Sequence, residues 1–366
     1  MPYAYPGVYI EEDASPGLNI SSSETAVPVF VFSDEYPIKS YELIKVDSWL
    51  DFVSLLDILE IRESLYNSLK YYYINGGGRC YVSAVRDLDI NLLSNPGVVT
   101  LIVEAGLGVM GLESAFFDKI DILRSAGCNT FALFDSPSRA TEFLGVLPNE
   151  PAEVMKNYPS TDHAAVYGPW FVNNDNVDVP PSAVAAGLIA RTDSTRGVWK
   201  APANIAVAGG LSLKQHLSKE VHGLYNDYEK PLNLFREFTG KGTLLWGART
   251  LSLDIDRWRY VSVRRLFNMV EHDIENAMRA MMFETNNQPT WEKVRAAIYN
   301  YLYALWQQGA LQGGKPEEAF NVLVGLGLTM SETDIEEGKL IVDVGLKAVR
   351  PAEFIILKFT QNMALP

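Results

Sequence analysis

The stretch Gly309-Ala310-Leu311-Gln312-Gly313-Gly314-Lys315-Pro316 fits GxxxxGK, the loop that cradles nucleotide phosphates, up to its last position. A Ser or Thr hydroxyl must ligate Mg²⁺ there, and Pro316 has none; the stretch also follows a helical pattern where the motif needs a strand. Nucleotide chemistry is therefore not expected. Gly76-Gly77-Gly78 lacks both a following Lys-Ser/Thr and the GxGxxG spacing, and reads as a tight turn between a helix and a strand. No GxSxG nucleophile elbow occurs, and the flanks of a subtilisin-type His and Ser are missing. Among the four histidines, His163 follows Asp162, but neighbours on an extended chain point to opposite faces, so they make no acid–base pair. His216 and His222 are six residues apart and His272 lies beside Asp273 on a helical stretch, so neither HxxxH nor HExxH arises and no metal is expected. Two cysteines, Cys80 and Cys128, cannot build a four-ligand zinc site and read as buried thiols. No cofactor is implied.

One cluster stands apart: Arg249, Arg257, Arg259, Arg264 and Arg265 gather in a chain with 31 Lys and Arg against 45 Asp and Glu, a net charge of −14. Two readings stay open. The arginines pair with Asp254, Asp256, Glu271 and Asp273 inside the chain, or Arg249, Arg259, Arg264 and Arg265 face an interface with another protein surface, where guanidinium forks hold a partner's carboxylates. The overall negative field argues against nucleic acid as a partner.

The elements that must position these groups alternate. Helical patterns at 49–60, 61–73, 112–125 and 182–190 interleave with short apolar runs at 79–85, 98–103 and 130–135, an α/β order. Beyond Trp246 two long amphipathic helices follow. Val263, Leu266, Phe267, Val270, Ile274, Ala277, Met278 and Met281 share one stripe, and Trp291, Val294, Ile298, Tyr301, Leu302 and Leu305 the other, with Thr290 expected as cap and Gly309 as stop. Strands are expected at 339–346 and 352–359. The length leaves room for two to three domains, 48% hydrophobic and 21% charged residues describe a globular chain, and no uncharged apolar stretch is long enough to span a bilayer. No secretory signal is read at the N-terminus, since no basic residue precedes an apolar run.

Both ends read as arms. Pro6-Gly7-Val8-Tyr9-Ile10-Glu11-Glu12 is extended and is followed by a hinge at Ser15-Pro16-Gly17; Phe354-Ile355-Ile356-Leu357-Lys358-Phe359 is apolar on both faces and is preceded by a hinge at Arg350-Pro351. A lone strand leaves its backbone groups unpaired unless a sheet accepts it.

These residues carry a resemblance. The opening PGVYIEE, the Asn75-Gly76-Gly77-Gly78-Arg79-Cys80-Tyr81-Val82 turn, GLIARTDSTRGVWKAPAN at 187–204, Trp246-Gly247-Ala248-Arg249-Thr250-Leu251, WRYVSVRRLF at 258–267 and Arg350-Pro351-Ala352-Glu353-Phe354 resemble contractile tail sheath proteins, in the family's order. The resemblance implies a structural, non-enzymatic subunit: hexameric rings of the chain itself stacked helically around an inner tube protein, with baseplate and terminator or cap proteins at the ends. Contraction would drive the tube through a target envelope. It further implies an α/β fold, with a strand arm at 1–22, a subtilisin-like but non-catalytic α/β domain at 23–250, an α+β core at 251–349 and a second arm at 350–366. The arm residues Gly7, Val8, Tyr9, Ile10, Phe354, Ile355, Ile356, Leu357 and Phe359 would be exchanged between subunits. The size is closer to the sheaths of R-type bacteriocins and extracellular injection particles than to larger phage sheaths. Synthesis in a bacterial cytoplasm, then assembly into a phage tail or tail-like particle, is expected, without membrane insertion. The alternative is a degenerate α/β hydrolase-like enzyme.

Overall fold

A computed structural model of the chain describes residues 18–32, 43–59, 63–88, 93, 99–107, 113–137, 147 and 150–354. The arm residues Gly7 to Ile10, the hinge Ser15 to Gly17, and Ile355, Ile356, Leu357 and Phe359 lie outside them. The chain divides into two compact units. One comprises Ser22–His272 with the segment that begins at Ala348; the other comprises Asp273–Lys347 with 18–21 at the chain start. The division lies inside a helix, and 251–272 is bonded into the first unit: Leu251 pairs with Thr161 and Ala164, and Arg264 and Arg265 form ion pairs with Asp162 and Asp193.

The first unit is built on a nine-stranded sheet. Its strands are β1 (Pro28–Phe32), β2 (Ile44–Val46), β3 (Cys80–Ala84), β4 (Leu101–Val103), β5 (Phe131–Asp135) and β6 (Ala164–Gly168). After the small sheet of β7 (Phe171–Val172), β8 (Asp178–Val179) and β10 (Ser212–Leu213), the large one is completed by β9 (Ile205–Ala206), β11 (Leu232–Phe238) and β12 (Gly242–Leu245). The spatial order is β2-β3-β1-β4-β5-β6-β11-β12-β9. From β3 to β11 every pairing is parallel, and β2, β12 and β9 close the edges in antiparallel fashion.

A strand with parallel neighbours on both sides and helices above and below must be apolar on both faces. Pro28–Phe32 and Phe131–Asp135 are buried at every position. Alternate residues sort to the two faces: Phe30, Val82, Val103 and Leu133 to one core, Val29, Val31, Ile102 and Phe134 to the other. The first face is covered by α1 (Trp49–Leu59), α2 (Glu63–Ile74) and α4 (Pro181–Arg196); the second by α3 (Glu113–Ser125), with Tyr158 and Tyr225. The alternation read from the sequence thus becomes a three-layer α/β fold.

Where α2 and α4 cross, Gly187 lets the backbones touch: a Cβ there would lie 2.6 Å from the Tyr72 carbonyl oxygen and 2.9 Å from Asn75 Cβ. Asn75 closes the same corner, donating from its side chain to Tyr71 O (2.8 Å) and accepting from Ala208 N (2.8 Å). Gly187→Leu is expected to lower stability by about 2–3 kcal/mol through overpacking, read as an earlier denaturant midpoint for the isolated chain.

The helix α5 (Val261–Arg279) contains the boundary between the units. The second unit adds α6 (Gln288–Gln307) and a two-stranded antiparallel sheet of β13 (Phe320–Val324) and β14 (Val342–Leu346). All six expected stripe residues of α6, from Trp291 to Leu305, are buried, together with Ala297. The cap is Asn287 rather than Thr290, because Pro289 occupies the first turn and the Asn287 side chain accepts from Thr290 N (3.3 Å). Gly309 ends the helix at φ 79°, as expected, and Ala310 N returns to Leu305 O. Neither β13 nor β14 pairs with any further strand among the described residues. No helix among them is long and apolar enough to cross a membrane.

Candidate functional site

Open parallel sheets offer ligand sites at the carboxyl ends of their strands. Here that edge holds a buried polar cluster. Glu104 follows β4, Asp135 ends β5, and Ser182 lies in the first turn of α4; all are at most 1% exposed. Asp135 accepts from Ser182 N (2.7 Å) and Gly106 N (2.9 Å), Glu104 accepts from Asp135 N (2.9 Å), and the Ser182 hydroxyl accepts from Ala105 N (3.2 Å). Tyr158 and Trp170 donate to the carbonyls of Asp135 and Ser136. These carboxylates satisfy backbone donors in the loops above the sheet and hold Ala105 at a positive φ of 54°.

The histidines do not complete an acid–base site there. Asp162 and His163 are brought together after all, 3.8 Å apart, because 161–163 forms a bridge and turn instead of the extended chain assumed from sequence. Burial and the Arg264 charge push the His163 pKa down, and its Nδ1 lies 3.4 Å from the Thr130 carbonyl. That carbonyl precedes β5, whereas Asp135 and Ser136 lie at the strand's far end, about 16 Å away at strand rise. His222, its pKa lowered to about 4 by burial and then Arg236, contacts that arginine; His216 pairs with Glu237 at 3.3 Å. Cys80 is a buried free thiol, pushed up to about 12 by burial, and Cys128 is also free. The GxxxxGK stretch is a helix terminus: Gly314 N donates to Glu318 (2.9 Å), so a carboxylate occupies the place a phosphate would need.

The arginine cluster separates into roles that the sequence could not distinguish. Arg264 is 5% exposed, bonded to Glu271 (2.9 Å) and Asn268 (2.7 Å), near Asp162 (3.5 Å), with its guanidinium 4.2 Å from the Trp258 ring centre. Arg265 is 4% exposed and grips Asp193 through two bonds (2.5 and 3.1 Å) while donating to Thr25 O (2.8 Å). Both are withdrawn from the surface of the chain: an aromatic shelf and neighbouring carboxylates take up both guanidinium groups. Glu271 was an expected partner; Asp193 was not, and Asp273 instead accepts from Tyr301 (2.6 Å). Arg265→Ala would strand the Asp193 carboxylate, whose side chain is 5% exposed, at a cost of roughly 3–5 kcal/mol. Arg264→Ala should cost less, since Glu271 is 45% exposed and water can replace the arginine there. Thermal melts of the two variants give the order.

Arg249 reaches the root of the C-terminal segment. Its Nε and Nη2 form a fork on Glu353 (2.9 and 2.7 Å), Nη1 donates to Asn226 O (2.7 Å), and its main chain is held at both ends by the buried Asn233. Tyr260 donates its hydroxyl to Glu353 (3.1 Å); burial, then the Glu353 charge, raise its pKa and keep that proton in place. Arg350 donates to the Asp256 carbonyl. The Arg350-Pro351 hinge expected from sequence is therefore tied on both sides, and Phe354 beyond it is 68% exposed. A cleft of about 570 Å³ opens beside this root, lined by Arg196, Trp199, Lys200, Trp246 and Arg350 among others. A smaller one of about 300 Å³, lined by Glu24, Thr25, Arg79 and Asp193, lies where 23–27 enters β1.

A phage tail sheath C-terminal domain family matches residues 255–362. Over 99% of both chains the protein is 47% identical, at a TM-score of 0.86, to the sheath of the PVC extracellular contractile injection system in its contracted state. To a chain of the contracted anti-feeding prophage baseplate it is 42% identical over 98% of this chain and 99% of that one, at a TM-score of 0.85. It is 25% identical over 228 residues, 59% of its length, to the tail sheath protein of Vibrio phage KVP40, of which the match spans 32%.

Proposed function

The chain belongs to the contractile tail sheath family, and from that premise we propose that it is a sheath subunit that stacks as hexameric rings around an inner tube and contracts to drive the tube through a target envelope. The observation that carries the reading is the agreement with the PVC sheath along 99% of both chains. Baseplate and cap proteins would close its ends, and the finished particle would be a phage tail or an extracellular tail-like particle. The first unit is read as a subtilisin-like α/β domain without catalysis, and the second as the α+β core.

Strand exchange is the joint this reading requires, and the β13–β14 sheet supports it. Two strands alone are marginal in water, and their edges, unpaired among the described residues, offer main-chain donors and acceptors to an added strand. Gly7 to Ile10 and Phe354 to Phe359 are the segments we assign to those edges. Donation from each copy to the next is a heterologous contact, which produces rings and helices. Energy for contraction would be stored at assembly, in an extended lattice held kinetically above the contracted one. Negative-stain microscopy of the purified chain tests the proposal: tubes with an annular cross-section are expected, and a protein that stays monomeric at every concentration would overturn it.

A further inference from the structure

Resting on that reading of the chain as a self-assembling subunit, we propose that the cleft beside Glu353 is a carboxylate-binding site for a second copy of this chain, and that it takes the acidic triplet Glu11-Glu12-Asp13. The cleft collects unsatisfied donors. Arg196 and Lys200 are exposed and have no ion-pair partner among the described residues, while Arg350 meets only a neutral carbonyl. Trp199 lines the same cleft, and its buried indole N–H has no hydrogen-bond partner there. The acidic side chain of the lining, Glu353, is already neutralised by its fork with Arg249. Three cations and an idle donor around about 570 Å³, in a chain of net charge −14, form a positive basin that copies of the chain would otherwise repel one another around.

Charge complementarity selects the occupant. Glu11-Glu12-Asp13 is the one run of three consecutive acidic residues in the sequence, and it directly follows the strand-like Gly7 to Ile10. An added strand is held by main-chain bonds that say little about sequence, so carboxylates seated among fixed cations would supply selectivity for this segment. The pairing is partly solvated, so it weakens as salt shortens the Debye length.

The test is a charge exchange in the full chain. Arg196→Glu with Lys200→Glu is expected to raise the critical concentration for polymerisation about tenfold, Glu11→Lys with Glu12→Lys to do the same, and the four changes together to restore it to within about threefold of the parent. The exposed positions of Arg196 and Lys200 leave the fold intact, which circular dichroism checks. A synthetic peptide of residues 6–17, titrated into dilute protein and followed by tryptophan fluorescence, gives a readout that needs no polymer. It should bind saturably, about tenfold more weakly to the cleft variant, and Gln-Gln-Asn in place of the triplet should abolish binding. Unchanged polymerisation and peptide binding in the cleft variant would overturn the proposal and leave the sheath reading standing. A cleft variant that assembles poorly and is not rescued by Glu11→Lys with Glu12→Lys would assign the cleft to another occupant, such as a different segment of the neighbour or a tube protein, and overturn the choice made here. A parent chain that never polymerises counts against the sheath reading, and the peptide titration then decides the cleft by itself.

Discussion

Removal of residues 1–21, or of 354–366, is expected to leave a folded α/β unit that forms no long tubes. The nine-stranded sheet and its two helical layers hold two extensive cores, and no described member of either lies in the truncated segments. The second unit is different. Its α6 stripe is buried, but among the described residues its sheet has two strands with both edges open. A copy that cannot donate a strand leaves its neighbour's edge unfilled, and each missing pairing removes several main-chain hydrogen bonds worth about 0.5–1.5 kcal/mol apiece. Cutting after Glu353 keeps its fork with Arg249, so the loss reports the strand and not the anchor. Circular dichroism and a cooperative melt would establish the fold, and electron microscopy the assembly. Long, regular tubes from both truncated proteins would refute the exchange of arms.

Sequence periodicity revealed those features whose cause is local. The stripe from Trp291 to Leu305 follows from the helical repeat, and the buried runs at β3, β4 and β5 from their bounding turns. Arg264 could be matched with Glu271 because seven residues is two helical turns. Arg265 could not be matched with Asp193, 72 residues away on α4, since only the parallel sheet brings those helices together. The strand β13 is hidden from periodicity because its burial runs buried, exposed, half-buried, exposed, buried, a pattern that fits one strand partner among the described residues and one weak face. Asp162 and His163 were separated on paper by an extended chain that is a turn in fact. At the C-terminal root, Pro351 suggests a hinge, and only the folded chain brings Arg249, Tyr260 and Asp256 around it.

That root bears on how a contracting lattice would transmit force, and Glu353→Ala is expected to give tubes that assemble in the extended form and contract only in patches. If cores swing as rigid bodies while donated strands stay paired, the pull along each arm enters the next core where the arm is anchored. Glu353 would then be that anchor, since it is held by two guanidinium bonds and the Tyr260 hydroxyl. Charge-assisted bonds contribute about 1.5–3 kcal/mol each when buried. With Glu353 about a quarter exposed at its side chain, losing the fork should cost roughly 2–3 kcal/mol in all, too little to unfold a unit of this size. The slack it frees, however, lies in the line of force. Arg249→Lys should reproduce the defect, because a point charge keeps the attraction and loses the planar two-bond grip. At the other arm, inserting two or three residues between Ala14 and Ser15 adds at most a few tenths of a kcal/mol of loop entropy, about the least that slack can cost, and should likewise spare assembly while blunting contraction. Microscopy after a contraction trigger such as mild denaturant decides the matter: Glu353→Ala tubes that shorten as fully and as fast as the parent would show that the motion does not pass through this anchor.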